Sequence, residues 1–298
     1  MGAETATKLQ TLLADYRNTL AIKQGKVSSP LIDFAFAPQK VANEGFKPLV
    51  REARFDLSEL AIVTYLQAKQ WGKPYVLMPV VVVGRDQHHT IFYNSERGPL
   101  APADLKGKRV GVRAYSQTTG AWLRGILEHD YGVDAGDIEW VTYEDPHVAE
   151  YVDPPGIERA PAGKSPQAML LAGEIDAAIL GEVAGDARLK TLIPDARQAA
   201  RDWTRKHDAV PVNHMLVIRQ ELARSRPDLL QEIVRLFAES KRLGDRPADT
   251  ERDSIPIGIE PSRKSLELII DYSLEQRLIT TRFSVDELFD DSTRKLGA

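Results

Sequence analysis

The sequence of 298 residues contains no cysteine, which removes disulfides, thiolate nucleophiles and cysteine metal ligands together. No stretch approaches the roughly 18 consecutive apolar residues of a membrane-spanning helix. The opening MGAETATKLQTLLADY has neither a basic start nor an apolar run of signal-peptide length, so a cytoplasmic protein is expected. Charge of one sign is also missing: 39 Lys and Arg stand against 43 Asp and Glu, a net of −4. That balance predicts no nucleic-acid partner and no acidic membrane surface, so any anion must be held by a local site. There is no nucleotide-binding GxGxxG or Walker loop, no HExxH and no GxSxG elbow, so cofactor chemistry has no support in sequence motifs.

What is present is an α/β pattern long enough for two lobes of roughly 100–200 residues each. NTLAIK (18–23) and LIDFAFA (31–37) alternate as half-buried strands do. A short helix follows over 41–54. Asp56-Leu57-Ser58 reads as a cap for a helix over 59–71. VLMPVVVV (76–83) is nearly all apolar, as a strand covered on both faces must be, and 89–94 is another strand. A second run begins near Asp104, with strand RVGV (109–112), a helix over 116–130, a strand over 138–142, a helix over 165–172 stopped at Gly173, and strand DAAIL (176–180). Residues 144–166 hold five prolines and little periodicity, and read as a long loop. PVNHMLVIR (211–219) is a returning strand, followed by amphipathic helices over 222–243 and 266–278 and a short helix over 285–289.

Alternating strands and helices predict mostly parallel sheets. The two runs are joined near residues 90 and 213. This implies a discontinuous first lobe, 1–92 with 211–298, and an inserted second lobe, 93–210. Two Rossmann-like lobes with a hinge would close a cleft beyond the strand carboxyl ends.

Three segments carry candidate chemistry. Arg113-Ala114-Tyr115-Ser116-Gln117-Thr118-Thr119 joins a strand to a helix, where free amides, hydroxyls and an arginine fork suit a carboxylate. An ordinary N-cap beside a solvated arginine is the plain alternative. Arg51, Arg54, Ser58 and Glu59 surround the expected helix start at 59; surface charge is the alternative there. Arg85-Asp86-Gln87-His88-His89 precedes a strand, where adjacent histidines point to opposite faces and would not chelate one metal. His214 lies on the returning strand, where a structural role is the alternative.

Six stretches in order carry a resemblance: FKPLVREARFDLSELAIVTYL from Phe46, KGKRVGVRAYSQTTGAWLRGIL from Lys106, LLAGEIDAAILG from Leu170, LIPDARQAARDW from Leu192, PVNHMLVIR from Pro211 and IGIEPSRKSLELIIDYSLEQRLITTRFSVDELF from Ile257. Together they resemble the 4,5-dihydroxyphthalate decarboxylase family, over residues 18 to 290. The resemblance implies a type II periplasmic-binding-protein architecture used as a cytoplasmic enzyme that converts ortho-dicarboxylated catechols to protocatechuate. It carries over no assigned catalytic residues, so roles rest on chemistry. His214 is the first choice for the acid that protonates the ring, with His88 as the other choice; the second histidine or Glu59 would polarise the phenol. Arg51, Arg54, Ser58, Arg85, Arg113, Tyr115, Ser116, Gln117, Thr118, Thr119 and Arg263 are the candidates for holding substrate.

Departures from the family pattern occur at Glu52-Ala53-Arg54, Gln87-His88, Ser254-Ile255-Pro256-Ile257 and Glu182-Val183-Ala184-Gly185, and leave room for a different aromatic acid. The expected ligand is a small aromatic mono- or dicarboxylate, and a homo-oligomer is compatible with the sequence. The chemistry requires no cofactor, although a divalent metal bridging catechol oxygens is compatible with it. The rival reading is a solute-binding or ligand-sensing protein for a small aromatic carboxylate.

Overall fold

The computed structural model describes residues 6–181, 185–244 and 252–296. Its strands are Thr7–Leu12 (β1), Ile32–Phe36 (β2), Leu57–Ala61 (β3), Tyr75–Gly84 (β4), Ile91–Asn94 (β5), Arg109–Val112 (β6), Glu139–Thr142 (β7), Glu158–Arg159 (β8), Ala177–Ile179 (β9), Leu189–Thr191 (β10) and Val212–Arg219 (β11). They form two sheets, ordered β2-β1-β3-β11-β4 and β10-β5-β9-β6-β7-β8. Each sheet belongs to one compact unit. Unit 1 comprises residues 1–85, 212–267 and 283–298; unit 2 comprises 86–211 and 268–282.

In unit 1, β1 runs parallel to β2 and β3, while β11 enters between β3 and β4 and runs antiparallel to both. β4 is the apolar run expected from VLMPVVVV, buried over its first eight residues. Its Met78, Val80 and Val82 pack with Leu9, Leu57, Leu216 and Ile218, and with Leu230, Ile233 and Phe237 from helix Pro227–Leu243. The helix expected over 222–243 is in fact two, because Pro227 starts a new one after Gln220–Ser225.

Two local expectations fail in unit 1. Residues 18–23 contain the short helix Leu20–Lys23, and the strand that pairs with β2 is the earlier β1. Residues 57–61 are strand β3, with the helix starting only at Ile62. All five residues of β3 are buried, so a strand enclosed on both faces shows no alternation to read. Asp56 spends its carboxylate on the Gln10 amide at 2.8 Å rather than on a helix N-terminus.

In unit 2, β6 is parallel to β7 and β9, and β5 is antiparallel to β9 and β10. Both sheets are therefore mixed; with β7 also parallel to β8, parallel pairings outnumber antiparallel ones in unit 2, and the two kinds are equal in unit 1. Helix Thr118–Tyr131 follows β6 as expected and ends at Gly132 in the left-handed region, φ +67°. Helix Ala196–His207, which the sequence pattern did not reveal, supplies Trp203 beside Trp122, with ring centroids 6.0 Å apart. Tyr272 lies 5.7 Å from Trp122 on its ring-centroid measure. A Cβ on Gly125 would stand 2.1 Å from the Tyr272 ring, so this approach needs glycine. Such contacts draw residues 268–282 into unit 2, and the first boundary falls after Arg85 rather than 92.

Candidate functional site

Glu59 sits at the middle of β3, directly across from Leu216 of β11. His214 lies two residues from Leu216, so its side chain leaves the same face of the sheet as Glu59. The two meet: His214 Nδ1 is 2.6 Å from Glu59 Oε2. The Glu59 side chain is fully buried, whereas the His214 side chain keeps 21 % of its surface exposed. Solvent and solutes can therefore reach the imidazole but not the carboxylate.

Two further donors complete the shell of Glu59. The turn after β1 is tied by Thr19, whose hydroxyl donates to the Ala14 carbonyl at 2.7 Å and accepts from the Tyr16 amide at 2.8 Å. That turn brings the Ala14 N–H to Glu59 Oε1 at 2.6 Å and the Tyr16 hydroxyl to Oε2 at 3.1 Å. Burial and the Glu59 charge push the Tyr16 phenol well above its usual range, so it remains a donor. Arg85, half-buried just past β4, opposes that shift with its positive charge. The Phe46 ring meets His214 edge-on, with centroids 5.3 Å apart.

This arrangement fixes the imidazole chemically. A carboxylate accepts, so Nδ1 donates to it and Nε2 becomes the atom that exchanges a proton with anything outside. Three donors on a buried carboxyl group also hold it in place, since a buried polar group needs partners.

The other unit 1 candidates are engaged elsewhere. Ser58 donates to the Glu59 carbonyl at 2.5 Å. Arg54 pairs with Glu52 at 2.6 Å, and both are exposed. Arg51 is exposed on helix Phe46–Glu52. Arg263 forks onto Glu260 at 2.5 Å and reaches Asp286 at 3.0 Å. The expected helix start at Glu59 does not exist; Glu59 occupies a central-strand position instead. A pocket lined by Pro74, Arg219, Gln220, Glu221, Arg224 and Ser225 touches neither Glu59 nor His214.

In unit 2, the segment 113–119 is a strand-to-helix turn, as expected. Tyr115, Ser116, Thr118 and Thr119 are buried, and Gln117 occupies the N-cap position without a side-chain cap. Gln117 Oε1 meets no donor among the described residues. Arg113 is bound to Glu144 at 3.0 Å, and its carbonyl accepts from the Tyr143 and Glu144 amides.

His88 belongs to unit 2 and is 2 % exposed, while His89 points out. Burial pushes the His88 imidazole down to about 4, so it is neutral near pH 7. Glu128, His129 and Glu275 lie within 4.8 Å of one another, the one group among the described residues that could hold a metal ion. They stand at the other end of helix Thr118–Tyr131 from the turn.

Sequence reasoning missed Ala14 and Tyr16, because their strand and turn were assigned to the wrong residues. It also missed Arg124, discussed below, which reads as an ordinary surface cation on a helix. Of the family departures, residues 182–184 lie outside the described residues.

No family model matches the chain. It is 33 % identical over 268 residues to a 4,5-dihydroxyphthalate decarboxylase of Comamonas testosteroni, an alignment covering 84 % of this chain and 81 % of that protein. The chain belongs to the 4,5-dihydroxyphthalate decarboxylase family. A 4,5-dihydroxyphthalate decarboxylase of Pseudomonas putida is 32 % identical over 211 residues, covering 66 % of this chain and 81 % of the relative. Among solved structures, the periplasmic aliphatic sulphonate binding protein of Escherichia coli superposes with a TM-score of 0.63 at 15 % identity, covering 99 % of this chain and 95 % of the other. This member of the decarboxylase family thus has the α/β fold of the type II periplasmic binding proteins. Among its described residues no helix is long and apolar enough to cross a membrane.

Proposed function

We propose that the protein is a carboxy-lyase that decarboxylates 4,5-dihydroxyphthalate or a close hydroxylated phthalate, with His214 as the acid. The kinship with two 4,5-dihydroxyphthalate decarboxylases supports the reaction. The observation that carries the assignment of the acid is the buried Glu59 carboxylate on His214 Nδ1.

In such a substrate each carboxylate stands para to a hydroxyl. The phenol oxygen feeds electrons to the ring carbon that bears the leaving carboxylate. That carbon takes the proton from imidazolium Nε2, the carbon–carboxylate bond breaks, and its electron pair restores the aromatic ring as carbon dioxide leaves. The net change consumes one proton, which His214 regains from solvent. The electron source lies in the substrate, so the reading calls for no organic cofactor or metal.

With its oxygens taken by three donors, Glu59 orients the imidazole rather than polarising the phenol, much as the carboxylate does in a hydrolase triad. His88, neutral near pH 7, is less suited to deliver a proton. In unit 2, the turn 113–119 is read, within that unit, as a carboxylate-binding turn. We keep the cytoplasmic placement implied by the resemblance; cell fractionation checks it.

The fold likeness alone would equally suit a ligand-binding protein. Incubation with 4,5-dihydroxyphthalate separates the two. Stoichiometric carbon dioxide and 3,4-dihydroxybenzoate, carrying one ring deuterium when the reaction is run in deuterium oxide, support the enzyme. Tight binding without turnover across a panel of hydroxylated phthalates and benzoates would leave the binding protein.

A further inference from the structure

Arg124 is the charged side chain whose surroundings are hardest to reconcile with a purely structural role. It lies inside helix Thr118–Tyr131 and is completely buried. Its guanidinium stacks on the Tyr115 ring, 3.9 Å from the centroid, and faces Trp140 at 5.2 Å. Nη2 donates to the Tyr115 carbonyl at 2.6 Å, and Nε donates to Gln276 Oε1 at 2.7 Å. Gln276 is held in turn, donating to the Ala121 carbonyl at 2.9 Å. Nη1 meets no acceptor among the described residues.

Every acceptor on this cation is neutral. Its electrostatic neighbours are Tyr115, Tyr151 and Asp153, but among the described residues no carboxylate forms a hydrogen bond or ion pair with it. A buried guanidinium normally carries a bonded carboxylate, because an uncompensated buried charge is costly. The direction of the free nitrogen matters too. Nη1 lies 3.1 Å from where a Cβ on Gly120 would stand, so the side chain runs back along the helix towards its first turn, as helical side chains do. The first-turn amides already present about half a positive charge there. Arg124 places a whole charge behind them and grips the turn through the Tyr115 carbonyl.

We propose that Arg124 is a positioning residue whose charge, bonded to no carboxylate, makes the 113–119 turn selective for a carboxylate-bearing ligand. The inference rests on reading that turn as the carboxylate holder. It adds the origin of the charge preference, and it names a residue that never touches the ligand.

The test uses phthalate, which lacks ring hydroxyls and has no electron source for decarboxylation, against its neutral dimethyl ester, with binding to the full protein measured by calorimetry. This keeps the outcome separate from the fate of the decarboxylase reading. Gln276→Glu gives Arg124 an internal carboxylate without removing it. Phthalate binding is expected to weaken about tenfold in that variant, with ester binding unchanged. Arg124→Met is expected to lose the preference for phthalate, and Arg124→Lys to recover most of it. A purely structural Arg124 would leave phthalate affinity in Gln276→Glu at the wild-type value, and that result overturns the proposal. Equal losses in the Met and Lys variants, or a wild-type protein that prefers the ester, overturn it as well. If Arg124→Met fails to fold, Gln276→Glu decides alone.

Discussion

His214, within strand β11 of unit 1, and His88, in the 3-10 turn ahead of β5 in unit 2, have surroundings that make them different reagents. His214 gives one nitrogen to a buried carboxylate at 2.6 Å and keeps part of its ring accessible. His88 is 2 % exposed, its Nδ1 meets no partner among the described residues, and burial drives it towards the neutral form. Burial alone disarms an imidazole; burial of its partner carboxylate aims it. The same contrast separates two buried charges. Glu59 is saturated by three internal donors, whereas Arg124 has only neutral acceptors. The first charge is spent on internal order and the second is left for a ligand.

The sharpest way to break the histidine comparison is His214→Asn. Turnover should fall by about 10²–10⁴ while phthalate binding stays near the wild-type value. An unimpaired variant would move the acid away from His214. Next in size is Glu59→Gln, which keeps the shape but removes the carboxylate that meets His214 Nδ1. A loss of turnover of roughly 10–10³ is expected; a loss in binding alone would mean that Glu59 serves the fold and not the imidazole.

His88 sharpens the other side. Its pKa is lowered in the fold, so the unfolded chain binds the proton more readily. Stability should therefore fall as pH drops from about 6.5, the unfolded value, to about 4, the folded value, and change no further on this account below that. The full effect is up to about 3 kcal/mol. Denaturation of His88→Gln across that window should show a flatter decline than the wild type, with turnover at pH 7 within a few-fold. A large loss of turnover would restore His88 as a reagent. The smallest effect belongs to Tyr16→Phe, which removes one of three donors to Glu59. It should cost about 1–3 kcal/mol of stability and less turnover than Glu59→Gln. A variant as slow as His214→Asn would place the Tyr16 hydroxyl in the reaction itself.

Much of this was legible in the residues. The apolar run in β4, the helix after RVGV, the helix stopped at Gly173 and the strand-to-helix turn at 113–119 all read correctly because local chemistry determines them, whereas the loop expected over 144–166 also holds the two-residue strand β8. Glu59 did not. A carboxylate after Asp56-Leu57-Ser58 looks like a helix cap, and nothing local shows that β1 and β11 flank the segment and bury both faces. The pairing of Glu59 with His214 joins residues 155 apart in sequence and depends on strand order, which periodicity does not encode. Arg113 was chosen as a free fork, and its acid, Glu144, stands 31 residues away. Arg263 is taken up by Glu260, three residues before it, as the local alternative to a ligand role has it, and also by Asp286, 23 residues on.

The claim that Glu59 acts through His214 is tested most directly by a double-mutant cycle on the turnover of 4,5-dihydroxyphthalate, comparing Glu59→Gln, His214→Asn and both together. Once the imidazole is gone, the carboxylate has nothing to orient. The account predicts that the double variant turns over no more slowly than His214→Asn alone. Losses that multiply, with the double variant slower by the full Glu59→Gln factor, would contradict it.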